Sequence, residues 1–499
     1  MEYISILDLE PVNSKEFIST EFVADLNLNR IIDRISKLWG RDVKHFYGYF
    51  PQSPEAVQYR RDVYWEIESR NLSDMLERAW ETYDGCLRLA QVRERSGQPM
   101  RQAMLYVSEL ALYCDAVQML HEGLTGKPFA SEGFRRISEA LDTYVAGESF
   151  QTLSQQTAWI RERMAGTRFT LTYENKRIVL TEKECPASYE STLSRLGSGH
   201  RTVLEGPFSE SDELEGLELE LMEIFRKKQP DLFRRIGVMF KEQKNMQEEW
   251  IALFFREIPF YLSFMRLEQT LAQKGAAFVL PTEQEEEIIR GDGLYDLALF
   301  IANADRGGSV VSNDFYYDKD ELFYVLTGPN QGGKTTFARS LGQFIFFGKM
   351  GLKVPAKTAN IHFFTHLLTH FSVEESVETG RGKLMEELVR LAPMMKGAGR
   401  NSFVIINELF TTAANYDACI MGKKVLKHFV DRECHGIYVT HLSELLEAQD
   451  RAVGLCARLD DKGVQTFKIE RAVMEYTNCA ANQVKKYGLT YEKLKERLG

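Results

Sequence analysis

Thr327-Gly328-Pro329-Asn330-Gln331-Gly332-Gly333-Lys334-Thr335-Thr336 follows the apolar run LFYVL and precedes TTFARSLGQFIFFGKMG. A Gly-x4-Gly-Lys-Thr pattern between a strand and a helix constrains the chain to an α/β architecture with a phosphate at the turn. The glycines are needed where backbone N–H groups close around phosphate oxygens without a Cβ in the way. Lys334 supplies a point charge to the β/γ-phosphates, Thr335 a hydroxyl for Mg²⁺, and the helix aims its positive end at the anion. The competing reading is a glycine turn before a helix that happens to hold a lysine. Having a strand before the motif and a helix after it argues against that reading. Gly328, Pro329, Asn330, Gly332, Gly333, Lys334, Thr335 and Thr336 are therefore the candidate nucleotide-binding residues, with ATP and Mg²⁺ as the expected cofactors.

Two further apolar strands end in polar groups. FVIINELF, 403–410, runs from four apolar residues into Asn407 and Glu408. In P-loop ATPases such a strand ends in an acidic residue that holds Mg²⁺, and in one large class a glutamate follows that polarises the attacking water. Glu408 is the general-base candidate, and Asn407 takes the metal-side position with Thr335. By itself this pattern also fits an ordinary core strand as it surfaces. GIYVTH, 436–441, brings His441 to the same sheet edge, where an imidazole can meet a γ-phosphate; the plain alternative is a structural histidine.

The rest of the chain divides by pattern. From about residue 21 to 160 helical periodicity dominates, broken by Gly and Pro. RFTLTYENKRIVL alternates on both sides of ENK, so a small hairpin is expected at 168–180. Helical segments return from 209 to 283, and Trp250, Phe254, Phe255, Phe260 and Phe264 read as core, with Pro259 kinking or breaking the last helix. Strands then alternate with helices, as in a mostly parallel sheet. The expected fold is α + α/β: a helical region over 1–276, then a P-loop domain over 277–499. A length of 499 residues suits two or three domains, and 44% apolar with 27% charged residues suits a soluble globular protein. A net charge of −10 confines any nucleic-acid contact to local patches. Cys86, Cys114, Cys185, Cys419, Cys434, Cys456 and Cys479 contain no CxxC pair, which argues for reduced thiols and against zinc. The opening MEYISILDLEPVNSKEF lacks a basic-then-apolar export pattern, and no apolar segment is long enough to span a bilayer, so a cytoplasmic protein is expected.

TGPNQGGKTTFARSLGQFIFFGKMGLKVPA resembles the ATPase domain of the MutS DNA mismatch-repair family, which typically reads TGPNMGGKST, then a helix, then G-x-x-VPA. Ser312-Asn313-Asp314, Asn415-Tyr416-Asp417, YVTH at 438–441 and the tail AANQVKKYGL are similar too, so the resemblance covers most of 277–499. FPQSPEAVQYRRDVYWEIES at 50–69 resembles the family's helical core, and DLNLNRIIDRI the start of the shorter MutS-like bacterial proteins. The resemblance implies helical core and lever segments before an ABC-class ATPase domain. It also implies a homodimer through the ATPase domains, since one subunit's signature helix completes the other's site.

The departures qualify what is inherited. No stretch resembles the family's mismatch-reading domain or its Phe-x-Glu wedge, so mismatch recognition is not expected. The family's clamp is reduced at most to the region around 165–185, where Arg161, Arg163, Arg168, Lys176 and Arg177 are locally basic. A solvated hairpin is the plainer reading of that region, and any DNA contact there should be weak and salt-dependent. The family's signature GRSTFMVEM appears as Gly380-Arg381-Gly382-Lys383-Leu384-Met385-Glu386-Glu387-Leu388, with Gly382 in place of the serine. The family's Asp-Glu is Asn407-Glu408. Exchanging a charged acceptor (~1.5–3 kcal/mol) for a neutral one (~0.5–1.5) weakens metal-nucleotide binding about tenfold. The expected function is a MutS-like ATPase whose cycle drives conformational change on DNA or a protein partner, in repair or recombination. The alternatives are a nucleotide-gated dimeric scaffold with little hydrolysis and another ABC-class chromosome-maintenance ATPase. The last lacks its LSGGQ-type signature here.

Overall fold

The computed structural model describes residues 3–11, 17–165, 169–174, 177–182, 223–242, 247–282, 289–304, 306–372, 382–460, 463–472 and 495. Gly380 and Arg381 of the signature, the acidic stretch 209–222, Arg168, Lys176 and the tail 480–489 lie outside these residues. The N-terminal half is helical: α1 (Thr20–Asp25), α2 (Leu28–Trp39), α3 (Pro54–Ser69), α4 (Ser73–Arg95), α5 (Pro99–Leu124), α6 (Glu132–Ala146) and α7 (Glu148–Ala165). A hairpin follows, β1 (Phe169–Glu174) with β2 (Arg177–Glu182), antiparallel with Phe169 opposite Glu182. Next come α8 (Pro230–Lys241), α9 (Glu249–Glu257) and α10 (Pro259–Ala272). Pro259 opens α10 at the position where its missing N–H costs nothing, so it breaks the helical run as its ring chemistry dictates.

The C-terminal half alternates: β3 (Arg290–Leu294), α11 (Leu297–Ala304), β4 (Asn313–Tyr316), β5 (Phe323–Thr327), α12 (Lys334–Lys349), β6 (Thr358–Asn360), β7 (His366–Phe371), α13 (Lys383–Gly397), β8 (Ser402–Asn407), α14 (Asn415–Asp431), β9 (His435–Val439), β10 (Ala452–Leu459) and β11 (Gln465–Arg471). A six-stranded sheet has the order β11-β10-β5-β9-β8-β7. All its pairs are parallel except β10 with β11. A smaller antiparallel sheet has the order β4-β3-β6.

Two compact units form. The first holds Met1–Ile6 and Glu66–Ile258. In it α4 and α5 run antiparallel, tied by Arg93 to Glu109 at 2.9 Å near one end and Thr82 to Met119 farther along. Tyr83 stacks on Phe255 with ring centroids 4.3 Å apart. Glu66, wholly buried, accepts the N–H groups of Ala130 at 2.8 Å and Ser131 at 2.9 Å, fixing the entry to α6. Trp250 is half-buried, edge-on to Tyr144, whereas Phe254 and Phe255 are fully buried core.

The second unit holds Leu7–Trp65 and Pro259–Gly499. Its large sheet is buried throughout β5, β8 and β9, whose centres are apolar, because both faces are covered. On one face α14 packs Val425, Leu426 and Phe429 against Phe323, Val404, Ile406 and Tyr438. The helix α12 is buried along nearly its whole length, including Phe344, Ile345, Phe346 and Phe347. Phe260 and Phe264 of α10 are likewise buried in this unit.

Candidate functional site

Parallel strands present their C-terminal ends along one sheet edge, where an open α/β fold places its ligands. β5 ends at Thr327 and passes into the loop 328–333, whose glycines meet specific demands. Gly328 has φ 130°, and a Cβ there would lie 2.9 Å from Ala457 of β10. Gly333, with φ 89°, is the residue before α12, so the helix starts from a left-handed turn only glycine adopts freely. Lys334 is nearly buried, and its Nζ donates to the carbonyls of Gly328 and Pro329, both at 2.9 Å. The amine thus spans the mouth of the loop, beside the α12 N–H groups that have no intrahelical acceptor.

The neighbouring strand ends bring the other candidates to this edge. Thr335 donates its hydroxyl to Oδ1 of Asn407 at 3.1 Å. Asn407 is 7% exposed, so this side chain sits against the loop helix with its oxygen engaged, one residue before Glu408. The backbone of Glu408 is left-handed, φ 56°, and its N–H donates to Val439 O at 3.0 Å. The N–H of Thr440 donates to Leu326 O at 3.0 Å, which ties the end of β9 to the end of the loop strand. His441 follows directly and is exposed.

A cavity of about 620 Å³ opens here, lined by Asn330, Gln331, Gly333, Lys334, Thr335, Thr336 and Glu408 among the motif residues. That volume lies within the range of sites for nucleotide-sized ligands. His441 and Asn407 do not line it: His441 stands at the same edge outside the wall, and Asn407 lies behind Thr335. The opposite wall comes from residues no motif flagged. Tyr295, Leu299, Val311 and Phe467 make it largely apolar. Asp296 adds a buried carboxyl whose proton affinity is raised by burial; it accepts from Gln343 Nε2 at 2.9 Å and from Leu299 N–H at 3.1 Å. Asn313 stitches this wall, donating to Phe467 O at 3.2 Å and accepting from Ile469 N–H at 2.9 Å. The only sequence signal for these residues was the Ser312-Asn313-Asp314 triplet; the positive φ of Phe467, 59°, has none.

The donor set suits Mg²⁺. A hydroxyl and an amide oxygen in contact, with a carboxylate adjacent in sequence, are hard oxygen ligands, and a cation of this kind keeps several waters while sharing substrate phosphates. Among the described residues there is no cluster of three or more His, Cys, Asp or Glu that would hold a metal without phosphate help.

Comparison with known proteins agrees with this geometry. The family model for MutS domain V matches residues 324–496. A DNA mismatch repair protein MutS from Sorangium cellulosum is 31% identical over 150 residues, 30% of this chain and 16% of that protein. MutS of Leuconostoc mesenteroides is 28% identical over 177 residues, 35% of this chain and 20% of that protein. The DNA mismatch repair protein MSH6 of Arabidopsis thaliana is 27% identical over 210 residues, 42% of this chain and 15% of that protein. The chain therefore matches no more than a fifth of the length of these relatives. Residues 324–496, from the loop strand through Asn407, Glu408 and His441, thus match domain V of the MutS family, an ABC-type ATPase domain.

Proposed function

We propose that this chain is a MutS-like ATPase that binds ATP with Mg²⁺ in the 620 Å³ cavity and hydrolyses it. The observation that carries the reading is the Thr335–Asn407 contact beside Glu408, at the mouth of a glycine loop whose lysine is already drawn across it. Thr335 and Asn407 would hold Mg²⁺, which when bound would supply positive charge to offset that of the phosphates. Lys334 exchanges its loop carbonyls for phosphate oxygens, and the α12 N-terminus adds its dipole. Glu408 orients the attacking water and receives its proton. We assign His441 to the γ-phosphate from the sheet edge beside the cavity, although it stands outside the cavity wall. Its place one residue beyond Thr440, whose N–H is bonded to the loop strand, supports that role.

The nucleotide cycle then drives conformational change on DNA or a protein partner, in repair or recombination. Homodimerisation through the ATPase domains is supported by α13, which leaves Met385, Leu388 and Val389 exposed. DNA contact is expected to be weak and salt-dependent, since the chain carries a net charge of −10 and Arg161 is already paired with Asp115 at 2.9 Å. No described helix is long and apolar enough to cross a membrane. A second reading, a nucleotide-gated scaffold that hardly turns over, is favoured by the neutral Asn407 and by Gly382 at the start of α13.

Phosphate release with Mg²⁺, measured beside Glu408→Gln, separates the two. The ATPase reading expects a fall of about 10²-fold or more in the variant with ATP binding retained. Equal rates in the two proteins would leave the scaffold. Lys334→Ala should abolish the rise in melting temperature caused by ATP, because that rise follows occupancy of the native state.

A further inference from the structure

Glu387 lies in the first turns of α13 and is wholly buried, on the face opposite Met385, Leu388 and Val389. One carboxylate oxygen, Oε2, accepts the backbone N–H of Phe410 at 3.0 Å. The other, Oε1, has no hydrogen-bond partner among the described residues. Burial pushes this carboxyl up, and the Phe410 N–H bond and, less, the charge of Lys383 only partly oppose that. An apolar side chain of the same size would be easier to bury at this position. What the carboxylate does here is hold one N–H.

That N–H belongs to an unusual turn. Glu408 and Phe410 both have left-handed backbones, φ 56° and 63°, a conformation that non-glycine residues adopt at a cost and keep only when neighbours enforce it. Leu409 and Phe410 are buried, so the turn is anchored by packing as well. Glu408 is held from the strand side by its own N–H on Val439 O at 3.0 Å. From the helix side, the bond that fixes the turn is the one from Phe410 to Glu387.

We infer that Glu387 is a positioning residue for the ATPase reaction. It fixes the 408–410 turn from α13, and so sets where the Glu408 carboxylate stands in the cavity. This rests on the ATPase reading above. Its chemical content is a single backbone hydrogen bond accepted by a side chain on the signature helix. A displacement of that helix is thereby passed to the residue that orients the water.

The test compares wild type, Glu408→Gln, Glu387→Met and Glu387→Gln for kcat and, separately, for equilibrium binding of a fluorescent ATP analogue. Methionine fills the space without an acceptor; glutamine keeps an oxygen that accepts the Phe410 N–H without the charge. We expect Glu387→Met to lose about ten- to a hundredfold in kcat, the range of an ångström-scale misplacement. Nucleotide affinity should hold, and Glu387→Gln should turn over near the wild-type rate. Hydrogen exchange at the Phe410 amide should accelerate in the methionine variant alone. The inference is overturned if Glu387→Met turns over like wild type, if the glutamine variant falls equally far, or if affinity falls together with kcat. If wild type turns over no faster than Glu408→Gln, the ATPase reading itself is lost and this inference goes with it.

Discussion

Asn407 meets Thr335 through its amide oxygen, and that single atom decides what a carboxylate would do in its place. Aspartate keeps an acceptor at the same position, so Asn407→Asp preserves the hydrogen bond and adds the charge a Mg²⁺-bound water responds to. The difference between charged and neutral acceptors, about 1–2 kcal/mol, should lower the Mg²⁺ concentration for half-maximal activity about tenfold. Maximal rate should move less, because Glu408 orients the water. A Mg²⁺ titration run beside a thermal melt checks this. A lower melting temperature with unchanged Mg²⁺ dependence would mean that the new charge is merely buried, and would remove the strand's metal-side role. Lys334, Thr335, Asn407 and Glu408 were legible in the sequence because a phosphate loop and a strand end are short, contiguous patterns. Tyr295, Val311 and Phe467 were not. They reach the cavity through the pairing of β3 with β4 and the stitch of Asn313 to β11, and pairing over that distance leaves no local periodicity.

Strands and helices of the second half were readable from apolar runs bounded by glycine and from the break at Pro259. What the alternation of elements could not reveal is which buried polar groups join them. α1 illustrates this: Asp25 accepts the Thr369 hydroxyl of β7 at 2.7 Å, pairs with Arg390 of α13, and its carbonyl accepts from Arg339 of α12 at 2.9 Å. A short N-terminal helix thus joins the loop helix, an edge strand and the signature helix by side chains with no shared motif. His370, between these elements on β7, is fully buried, with Nε2 against Glu387 O at 3.4 Å. Burial, with the Arg390 charge adding to it, pushes the imidazole down to about 4. The unfolded chain, with an ordinary histidine near 6.5, takes up the proton first. Stability is therefore full above about pH 6.5 and is lost as pH falls toward 4. Asp25 and Glu387, whose carboxyls burial raises, act in the opposite sense, since their contribution falls as pH rises. Comparison of wild type with His370→Gln isolates the histidine. Urea unfolding between pH 7 and 4.5 should show a shallower acid loss in the variant, by up to about 1.4 kcal/mol per pH unit. Parallel curves would mean that His370 is not neutral in the folded state.

For the whole molecule the open question is how many copies make the working unit. Met385, Leu388 and Val389 are 53%, 40% and 46% exposed on α13, and Tyr416 at the start of α14 is 77% exposed. Exposed apolar side chains scattered singly need no explanation, but three within two turns of the helix that carries Glu387 form a local stripe. If two copies pair through this helix when ATP is bound, a charge in the stripe should block pairing without harming the fold. Exposed positions typically change stability by no more than about 0.5 kcal/mol. The 57.4 kDa chain should run at twice that mass in gel filtration with ATP and Mg²⁺, and Leu388→Asp should run as a monomer in the same buffer. Its melting temperature without nucleotide should match wild type, and its ATP-induced shift should shrink to what binding alone supplies, because dimerisation adds its own mass-action stabilisation. A Leu388→Asp protein that still doubles in mass with ATP would move the interface away from α13. Glu387 would then be left to position Glu408 without a partner's influence.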